Sequence, residues 1–381
     1  MHNVGLHLIG TTATNSYTEL KLTDGNAGYA FQVRSDAAQS IATGSFVLND
    51  VDSSTFPIVI NEGSATNTLK IDSEGVKVTT ISQGPLGGRR NAVMNPCFQI
   101  NQRHGTGANT TINTYAMDRW RSYGGGSSPA HAMSWTTRSD AGEGNGYYGR
   151  FQRTADNTAT HTMGISQGWE TDDSKYYAGK EVTLSFRARA GANWSPTNGT
   201  VGFGLAGGEG TNENPVSMTN TDIVFRIDAN LPQGGGFVQY SGTGTIPADK
   251  TQLALQVSWT PVGTAGANDY WDVREVQLEL GDTVTQFENR STGEEFQLCQ
   301  RYFEKSDDPQ FHINSGAAGS QVQRHSIRYA TQKWEDATLV VSSSTSGLSG
   351  AVTNGVDGFT LGFSGSDLDV HHITFTAESE L

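Results

Sequence analysis

Apolar and polar residues alternate most clearly between residues 91 and 290. In EVTLSFRARA, the apolar residues Val182, Leu184 and Phe186 fall on one face of a strand, and the polar residues between them fall on the other. The same period of two recurs in VGFGLAG, DIVFRI, QLALQVSW and DYWDVREVQLEL, where the phase slips after Arg274 as it does at a β-bulge. Strands with one apolar face predict two antiparallel sheets packed as a sandwich or jelly roll.

Residues 1–81 contain shorter strands separated by turn signals, such as TELKL, YAFQV and FPIVI. TLKIDSEGVKVTT predicts a hairpin that turns at Glu74-Gly75. Each strand carries few apolar residues, so we expect this β module to complete its burial between chains. The Gly- and Pro-containing stretch SQGPLGGRR, residues 82–90, is typical of a linker.

Residues 291–305 predict a short helix. Ser291 or Thr292 can cap it, with a glutamate of the Glu294-Glu295 pair as the capping-box partner. An apolar stripe of Phe296, Cys299 and Phe303 follows. A helix of about 12 residues is not stable alone. We therefore expect it to pack on its own domain or against two copies of itself around an axis.

Residues 306–381 return to alternating strands, with turn dipeptides at Asn354-Gly355 and Asp357-Gly358, and predict a C-terminal β domain. The fold class is therefore all-β: an N-terminal module, a central sandwich, one short helix and a C-terminal sandwich at the tip.

Composition agrees with this organisation and narrows the partners. The 381 residues include 46 glycines, and only 17% are charged, as expected for strands joined by many turns. The net charge of −14 disfavours nucleic acids and anionic membranes as partners. We expect no membrane insertion and no secretion signal, hence synthesis in the cytoplasm. Cys97 and Cys299 have no metal-type spacing and predict reduced core thiols.

Five segments in order carry a resemblance to a known family. They are NAVMNPCFQINQR at 91–103, YAMDRW at 115–120, ISQGWETDDSKYYAGKEVTLSFRARA at 165–190, VREVQLELGDTVTQFENRS at 273–291 and EEFQLCQRYFEK at 294–305. Together they resemble the receptor-binding tail fibres of tailed bacteriophages. The closing AESEL is similar to the ending of such fibres, and KIDSEGVKV is similar to their shaft hairpins.

The resemblance implies a carbohydrate-binding-module-like jelly roll at 91–290, a linking helix and a distal β domain, assembled as a homotrimer in the virion. Residues 1–81 would form a shaft or attach to other virion proteins. The implied function is non-enzymatic adhesion to a host cell-surface glycan. Alternatives are a mainly structural capsid fibre or decoration protein, a tailspike depolymerase that would need two facing carboxylates, and a secreted bacterial carbohydrate-binding module.

Aromatic side chains are the candidates for glycan contact, because sugars stack their C–H faces on aromatic rings. Trp194 lies in the turn-rich GANWSPTNG and is expected to be exposed, whereas Trp120 and Trp271 lie among core-patterned residues and are expected to be buried. The candidates are Trp194, Trp135, Trp169, Tyr147, Tyr148 and, in the distal domain, Trp334.

A structural calcium ion is a further expectation from the resemblance, since carbohydrate-binding jelly rolls often hold one between the first and last strands. Asp272 and Asn95, through its carbonyl or side chain, fall near those places. Calcium needs about six or more oxygen ligands, and the sequence identifies no others. No other cofactor is expected.

Overall fold

The computed structural model divides the chain into two compact units, Met1–Leu86 and Gly87–Leu381. The division falls within the predicted linker, and the finer boundaries at 290 and 305 stay predictions. The structure describes residues 7–10, 17–23, 28–36, 41–50, 55–60, 69–72, 75–78, 90–125, 133–139, 146–306, 310–312, 323–343, 353–363 and 370–381.

The first unit contains an antiparallel five-stranded sheet in the order β1-β2-β3-β4-β5 and a separate β6-β7 hairpin. The predicted hairpin is confirmed, and β4 was not predicted. The prediction that these strands complete their burial between chains concerns side chains that lie outside the described part of the structure. The strands are β1 His7–Gly10, β2 Tyr17–Thr23, β3 Gly28–Asp36, β4 Ile41–Asp50, β5 Thr55–Ile60, β6 Leu69–Asp72 and β7 Gly75–Val78.

The second unit begins with two antiparallel sheets that pack face to face, as the alternation predicts. Sheet I has the order β10-β11-β18-β13-β16, and sheet II has the order β15-β14-β17-β12-β9-β8. Their strands are β8 Tyr115–Met117, β9 Trp120–Gly124, β10 Met133–Ser139, β11 Tyr147–Arg153, β12 Met163–Gly168, β13 Glu181–Ala190, β14 Thr200–Gly208, β15 Asp222–Asn230, β16 Val238–Thr245, β17 Gln252–Trp259 and β18 Tyr270–Leu280.

Aromatic rings from the two sheets meet in the core. Phe186 of sheet I stacks on Phe203 of sheet II with ring centroids 3.5 Å apart, and Trp271 meets Trp259 edge-on at 5.2 Å. Trp120 and Trp271 are buried, as predicted. Burying side chains of this size contributes about 1.5–3 kcal/mol each.

Two details of the alternation have different outcomes. The bulge is confirmed, because the register moves from Ser185 opposite Gln277 to Arg187 opposite Arg274, and Glu275 adopts a φ of 54°. The expectation that DIVFRI presents an inward apolar face is confirmed for Phe225 and Ile227, which pack half-buried against the core. It is wrong for Ile223, which is exposed on β15, the edge strand of sheet II.

The predicted helix forms as α2, Thr292–Gln300, and a shorter helix, α1, spans Thr171–Lys175. Ser291 caps α2, its Oγ accepting a hydrogen bond from the Glu294 amide at 3.2 Å. The apolar stripe is wrong at its ends. The helix stops before Phe303, which lies in a strand, and Phe296 stays partly exposed.

Helix α2 packs on its own sandwich through a buried carboxylate. Glu295 accepts hydrogen bonds from the Asn95 amide at 2.5 Å and from Arg290 Nε at 2.9 Å. Arg290 in turn donates to the carbonyls of Asn91 and Val93. The helix therefore packs on its own domain, which is the first of the two predicted alternatives.

The C-terminal strands surround a second, smaller core. Phe359 packs edge-on against Phe375 at 4.9 Å, beside Tyr329 and Leu361. One sheet has the order β19-β25-β20, with β22 also paired to β25, and another has the order β21-β24-β23. The strands are β19 Phe303–Ser306, β20 Gln310–His312, β21 Gln323–Arg328, β22 Thr338–Ser343, β23 Thr353–Gly355, β24 Gly358–Phe363 and β25 Val370–Glu378.

A buried ion pair fastens the end of the chain to the sandwich. The Arg119 guanidinium donates to the Glu380 carboxylate and to the carbonyl of Gly168, and lies 3.4 Å above the ring of Tyr302. Arg103 donates to the same carboxylate at 3.1 Å. Sandwich residues thus hold the penultimate residue of the chain.

The cysteines match the prediction of reduced core thiols. Cys97 and Cys299 are buried and not disulfide-bonded, and burial raises the pKa of the Cys299 thiol well above its ordinary value. No helix in the described ranges is long and apolar enough to cross a membrane.

Neutralising Glu380 is expected to destabilise the second unit. Glu380→Gln leaves the Arg119 charge buried without its partner, which should lower the free energy of unfolding by about 3–5 kcal/mol. Urea unfolding followed by tryptophan fluorescence measures this unit, because all seven tryptophans lie beyond residue 86.

Glu378→Gln is the matched control. Glu378 also pairs with Arg103, at 3.2 Å, but its side chain is 44% exposed, against 2% for Glu380. Its loss should change stability by no more than about 0.5–1 kcal/mol. Equal losses of unfolding free energy in both variants would contradict a special role of the buried Arg119–Glu380 ion pair.

Asp118 should make stability depend on pH. Burial, the largest influence, raises its pKa from 3.8 to about 6, although Arg103 and Gln102 act in the opposite direction. The folded protein therefore binds a proton that the unfolded chain has released. This contribution to stability is complete below about pH 4 and is lost as the pH rises through about 6.

Asp118→Asn should consequently gain stability over the wild type, by up to about 3 kcal/mol, as the pH rises from about 4 to 7. Urea midpoints across this range measure the gain, with the exposed Asp172→Asn as control. A constant difference between Asp118→Asn and wild type would contradict the prediction.

Candidate arginine-rich binding face

The outer face of sheet I carries a row of charged side chains across three strands. Arg150 of β11 and Arg189 of β13 both stand in register with Asp272 of β18. Asp272 accepts hydrogen bonds from Arg150 Nε and Nη2 at 2.8 and 2.9 Å and from Arg189 Nε at 2.8 Å. One carboxylate thus holds two guanidinium groups side by side.

The next row repeats this arrangement. Arg187 and Arg274 are in register, and Glu275 at the bulge lies between their charges. Its carboxylate is 3.5 Å from Arg274 Nε and 3.9 Å from Arg187 Nη1. The bulge matters here, because the positive φ of Glu275 turns its side chain towards the arginines on the outer face.

Aromatic rings support the guanidinium groups. Arg150 lies 3.6 Å above the ring centroid of Tyr270. The ring of Phe237 lies 4.4 Å from the Arg189 guanidinium and 4.2 Å from that of Arg274. Such contacts contribute about 0.5–2 kcal/mol and hold the planar groups in fixed orientations. We call Tyr148, Arg150, Arg187, Arg189, Phe237, Tyr270, Asp272, Arg274 and Glu275 the arginine face.

Ion pairing with Asp272 outweighs burial and keeps Arg150 and Arg189 charged. Burial alone would lower the pKa of Arg150 and of Arg189, but their hydrogen bonds to Asp272 and its negative charge raise both pKa values above the ordinary value. Both guanidinium groups therefore stay charged at every physiological pH.

A groove of about 490 Å³ adjoins the arginine face. One wall is the segment 282–289, which two side chains of β18 hold in place. The Glu279 carboxylate accepts a hydrogen bond from the Thr285 amide at 3.0 Å, and the Gln277 side-chain oxygen accepts one from the Glu288 amide at 2.8 Å. Polar and apolar groups share its lining, which is formed by Ser185, Phe186, Arg187, Gln239, Glu275, Thr285, Gln286, Phe287 and Asn289. Such a surface can bind a polar polymer through many directional hydrogen bonds.

Trp194 corrects the sequence-based expectation of exposure. Its side chain is only 3% exposed, and its ring lies 6.4 Å from Trp259 and 6.5 Å from Trp271. The turn-rich loop folds over the end of the sandwich and adds the indole to the core. Trp135 is also fully buried there, in register with Phe151. Neither ring presents a face to a sugar in this structure.

The other candidates lie in three places. Tyr148 joins the arginine face, 5.7 Å from Phe237, and its neighbour Tyr147 is 39% exposed. Trp334 donates its indole N–H to the carbonyl of Ser379 in the C-terminal part. The structure thus brings one of the six candidates, Tyr148, onto this face.

Trp169 lines a second concavity, of about 380 Å³, with Tyr176 and Tyr177. Its side chain is only 3% exposed, and its indole donates to the carbonyl of Ala92 at 2.7 Å. Little of the ring is therefore open to a ligand. Tyr176 is the exposed ring there, with Lys180 Nζ 3.5 Å from its centroid. This concavity is the main competitor for a sugar.

Asp272 and Asn95, the expected calcium ligands, have other partners in the structure. Both carboxylate oxygens of Asp272 are held by arginine, and the side-chain oxygen of Asn95 accepts from the Ile100 amide at 3.0 Å. The Asn95 carbonyl accepts from the Trp120 indole at 3.0 Å. Among the described residues, no three His, Cys, Asp or Glu side chains are grouped to hold a metal ion. Calcium at Asp272 would have to displace two guanidinium groups.

The arginines were missed as binding residues, although FRARA already places Arg187 and Arg189 on one polar strand face. Their partners Arg150 and Asp272 are distant in sequence. Only the strand order of sheet I brings them together.

No protein-family profile matches the chain, and no curated protein matches it in sequence. Solved structures are similar to half of it. The enzymatically active domain of tailspike protein 4 of bacteriophage CBA120 is 14% identical, with a TM-score of 0.32, and the match covers 50% of this chain and 21% of that chain.

Two smaller structures match over their whole length. A carbohydrate-binding module, CBM4, is 20% identical, with a TM-score of 0.31, and the match covers 50% of this chain and 100% of that chain. The CBM22-1 xylan-binding domain of Paenibacillus barcinonensis Xyn10C is 13% identical, with a TM-score of 0.32, and the match covers 52% of this chain and 100% of that chain. At these identities and scores, the likeness carries no argument about what this chain binds.

We expect that calcium does not stabilise the folded protein through Asp272. A calcium ion bound only by the folded state would stabilise it by about 2.7 kcal/mol at a hundredfold excess over its dissociation constant. We predict equal unfolding temperatures for the wild type in millimolar calcium and in chelator, and the same for Asp272→Asn. Calcium stabilisation of the wild type that Asp272→Asn abolishes would contradict the assignment.

Proposed function

We propose that this chain is a non-catalytic, glycan-binding fibre protein of a tailed bacteriophage virion, and that the arginine face with its adjoining groove contacts the host-surface glycan. The observation that carries the proposal is the pre-formed set of hydrogen-bonding groups on sheet I. Asp272 and the rings of Tyr270 and Phe237 fix the guanidinium groups before any ligand arrives.

The role of the face is binding rather than hydrolysis. A glycosidase needs two carboxyl groups across a cleft, one of them able to donate a proton. Asp272 is fully buried between two arginines, and Glu275 lies between two more. Carboxylates held in this way position the arginines and are poorly suited to acid–base catalysis.

The virion role and the homotrimer rest on the five ordered segments that resemble phage tail fibres. In this proposal, residues 1–81 attach the fibre to other virion proteins. Three weak sites on one fibre, and several fibres on one particle, raise the effective affinity by orders of magnitude. An open face that makes modest contacts with each sugar suits this mode of adhesion.

Glycan binding should depend on the arginine face. On an array of bacterial surface polysaccharides, the Arg187→Gln/Arg189→Gln double variant should lose signal at least about tenfold, because charge-assisted hydrogen bonds contribute about 1.5–3 kcal/mol each. Arg226→Gln on sheet II removes a positive charge elsewhere and should bind as the wild type does.

Tyr176→Ala distinguishes the competing concavity. Loss of array binding in this variant, with binding retained in the arginine variants, would move the site to the Trp169–Tyr177 region. Shortening of a bound polysaccharide by the wild type would contradict the non-catalytic proposal.

Solution mass tests the fibre. Light scattering coupled to size exclusion should give about three times the 40.8 kDa of one chain. A monomer at micromolar concentration would contradict the proposed trimer.

A further inference from the structure

A third concavity, of about 640 Å³, lies where the sandwich meets the C-terminal strands. Its sandwich wall comes from β8, β9 and the segment before them, and its other wall comes from β19, β22 and β25. Hydroxyl and amide side chains contribute to both walls, namely those of Asn109, Thr111, Asn113, Thr338 and Thr376. Such groups can exchange hydrogen bonds with a polyhydroxylated ligand.

Arg103, one cation of this lining, is already engaged within the protein. Its guanidinium group pairs with Glu378 at 3.2 Å and with Glu380 at 3.1 Å, and it lies 3.7 Å from the ring centroid of Phe303. The buried Tyr115 donates its hydroxyl to the carbonyl of Leu381 at 2.8 Å. These contacts join the two walls, so Arg103 shapes the concavity rather than offering its charge to a ligand.

Arg121 lines the same concavity without a counter-ion. It alternates on β9 with the buried Trp120 and Ser122, so its side chain leaves the core. In the described part of the chain, its guanidinium group has no hydrogen bond and no ion pair, and its Nε atom is buried without an acceptor. The Tyr115 ring lies 5.9 Å away. A donor shielded from water in this way is stabilised by an incoming acceptor.

Glu335 brings an opposite charge to the same concavity. Partial burial, and then the neighbouring charge of Asp336, raise the pKa of Glu335 above its ordinary value. Its carboxylate forms no hydrogen bond or ion pair with Arg121 or with any other residue that the structure describes. A cation supplied by a ligand would favour the ionised carboxylate and would offset both effects.

We propose that this concavity is an additional binding site that takes a zwitterionic sugar unit, with its carboxylate on Arg121 and its ammonium group on Glu335. Because these two side chains form no ion pair with each other, both charges remain for a ligand. A guanidinium group can bind a carboxylate through two parallel hydrogen bonds. The net charge of −14 repels a polyanion, whereas a zwitterion avoids this repulsion. The choice of a sugar rests on the proposed glycan-binding function, and the choice of charges does not.

Four monosaccharides separate the two charges. Muramic acid carries a carboxylate and a free amino group, N-acetylmuramic acid only the carboxylate, glucosamine only the amino group, and N-acetylglucosamine neither. We expect ligand-observed NMR titrations of the full chain to show that muramic acid binds about threefold to tenfold more tightly than either singly charged sugar, as for partly shielded ion pairs. N-acetylglucosamine should bind most weakly.

Charge variants assign each preference to a residue. Arg121→Gln should bind muramic acid no better than glucosamine, whereas Arg121→Lys keeps the charge and should retain part of the preference. Glu335→Gln should bind muramic acid no better than N-acetylmuramic acid. Arg226→Gln and Glu181→Gln make the same charge changes at exposed positions elsewhere and should keep both preferences. Unfolding midpoints identify any variant that has lost its fold.

Several outcomes would overturn the inference. Equal affinities for the four sugars, or preferences that neither Arg121→Gln nor Glu335→Gln changes, would remove the site. Dependence on Arg121 alone would leave an anion site and overturn the zwitterionic ligand class. Alanine is a zwitterion without a sugar ring, and its binding as tightly as muramic acid would overturn the choice of a sugar.

The arginine-face variants separate this inference from the proposed function. If Arg187→Gln/Arg189→Gln loses the binding of muramic acid, the ligand belongs to the arginine face, and the additional site is overturned while the proposed function stands. If that double variant keeps all binding on the polysaccharide array, and the muramic acid preferences still depend on Arg121 and Glu335, the proposed role of the arginine face fails and this inference stands.

Discussion

The buried ion pair between Arg119 and Glu380 is the constraint on which the second unit depends. A guanidinium group without solvent is tolerated only when a carboxylate, a carbonyl and an aromatic ring satisfy it together, and Glu380, Gly168 and Tyr302 do so. Because Glu380 lies two residues beyond the end of β25, the last strand is tied to the sandwich. The C-terminal strands and the two sheets therefore share one polar anchor.

The same physical device recurs on the arginine face with a different result. In the first ion pair, Arg119 and Glu380 are both buried, and their charges stabilise the fold. On sheet I, Asp272 is buried but its two arginine partners stay partly open to solvent. The carboxylate there fixes the direction of charged groups that a ligand can still reach. Burial of the acid with partial exposure of the bases leaves oriented guanidinium groups at the surface, as the proposed glycan contact requires.

Local patterns predicted the strands but not the surface. The period of two in β13 and the phase slip at Glu275 are written in neighbouring residues, so the sandwich core and the bulge could be predicted. The burial of Trp194 could not be predicted, because its loop turns inward to pack the ring beside Trp259 and Trp271 at the end of the sandwich. A loop rich in turn residues indicates a turn, not the direction of its side chains.

The arginine face lay beyond sequence reasoning for a similar reason. Arg150, Arg189 and Asp272 come from three strands that are sequentially distant, and only the order β11-β18-β13 places them in one row. Asp272 was singled out as a possible calcium ligand, but both of its carboxylate oxygens accept hydrogen bonds from guanidinium groups. A conspicuous carboxylate in a strand does not reveal the charge that it will meet.

A crystal structure of the chain with an oligosaccharide from a polysaccharide that it binds on the array would test the central claim, that the outer face of sheet I contacts the glycan, most directly. We predict a polar group of one sugar within hydrogen-bonding distance of the Arg187 or Arg189 guanidinium, with the neighbouring sugar in the groove beside Gln239 and Asn289. An oligomer bound instead beside Trp169 and Tyr176, with the arginine face unoccupied, would contradict it.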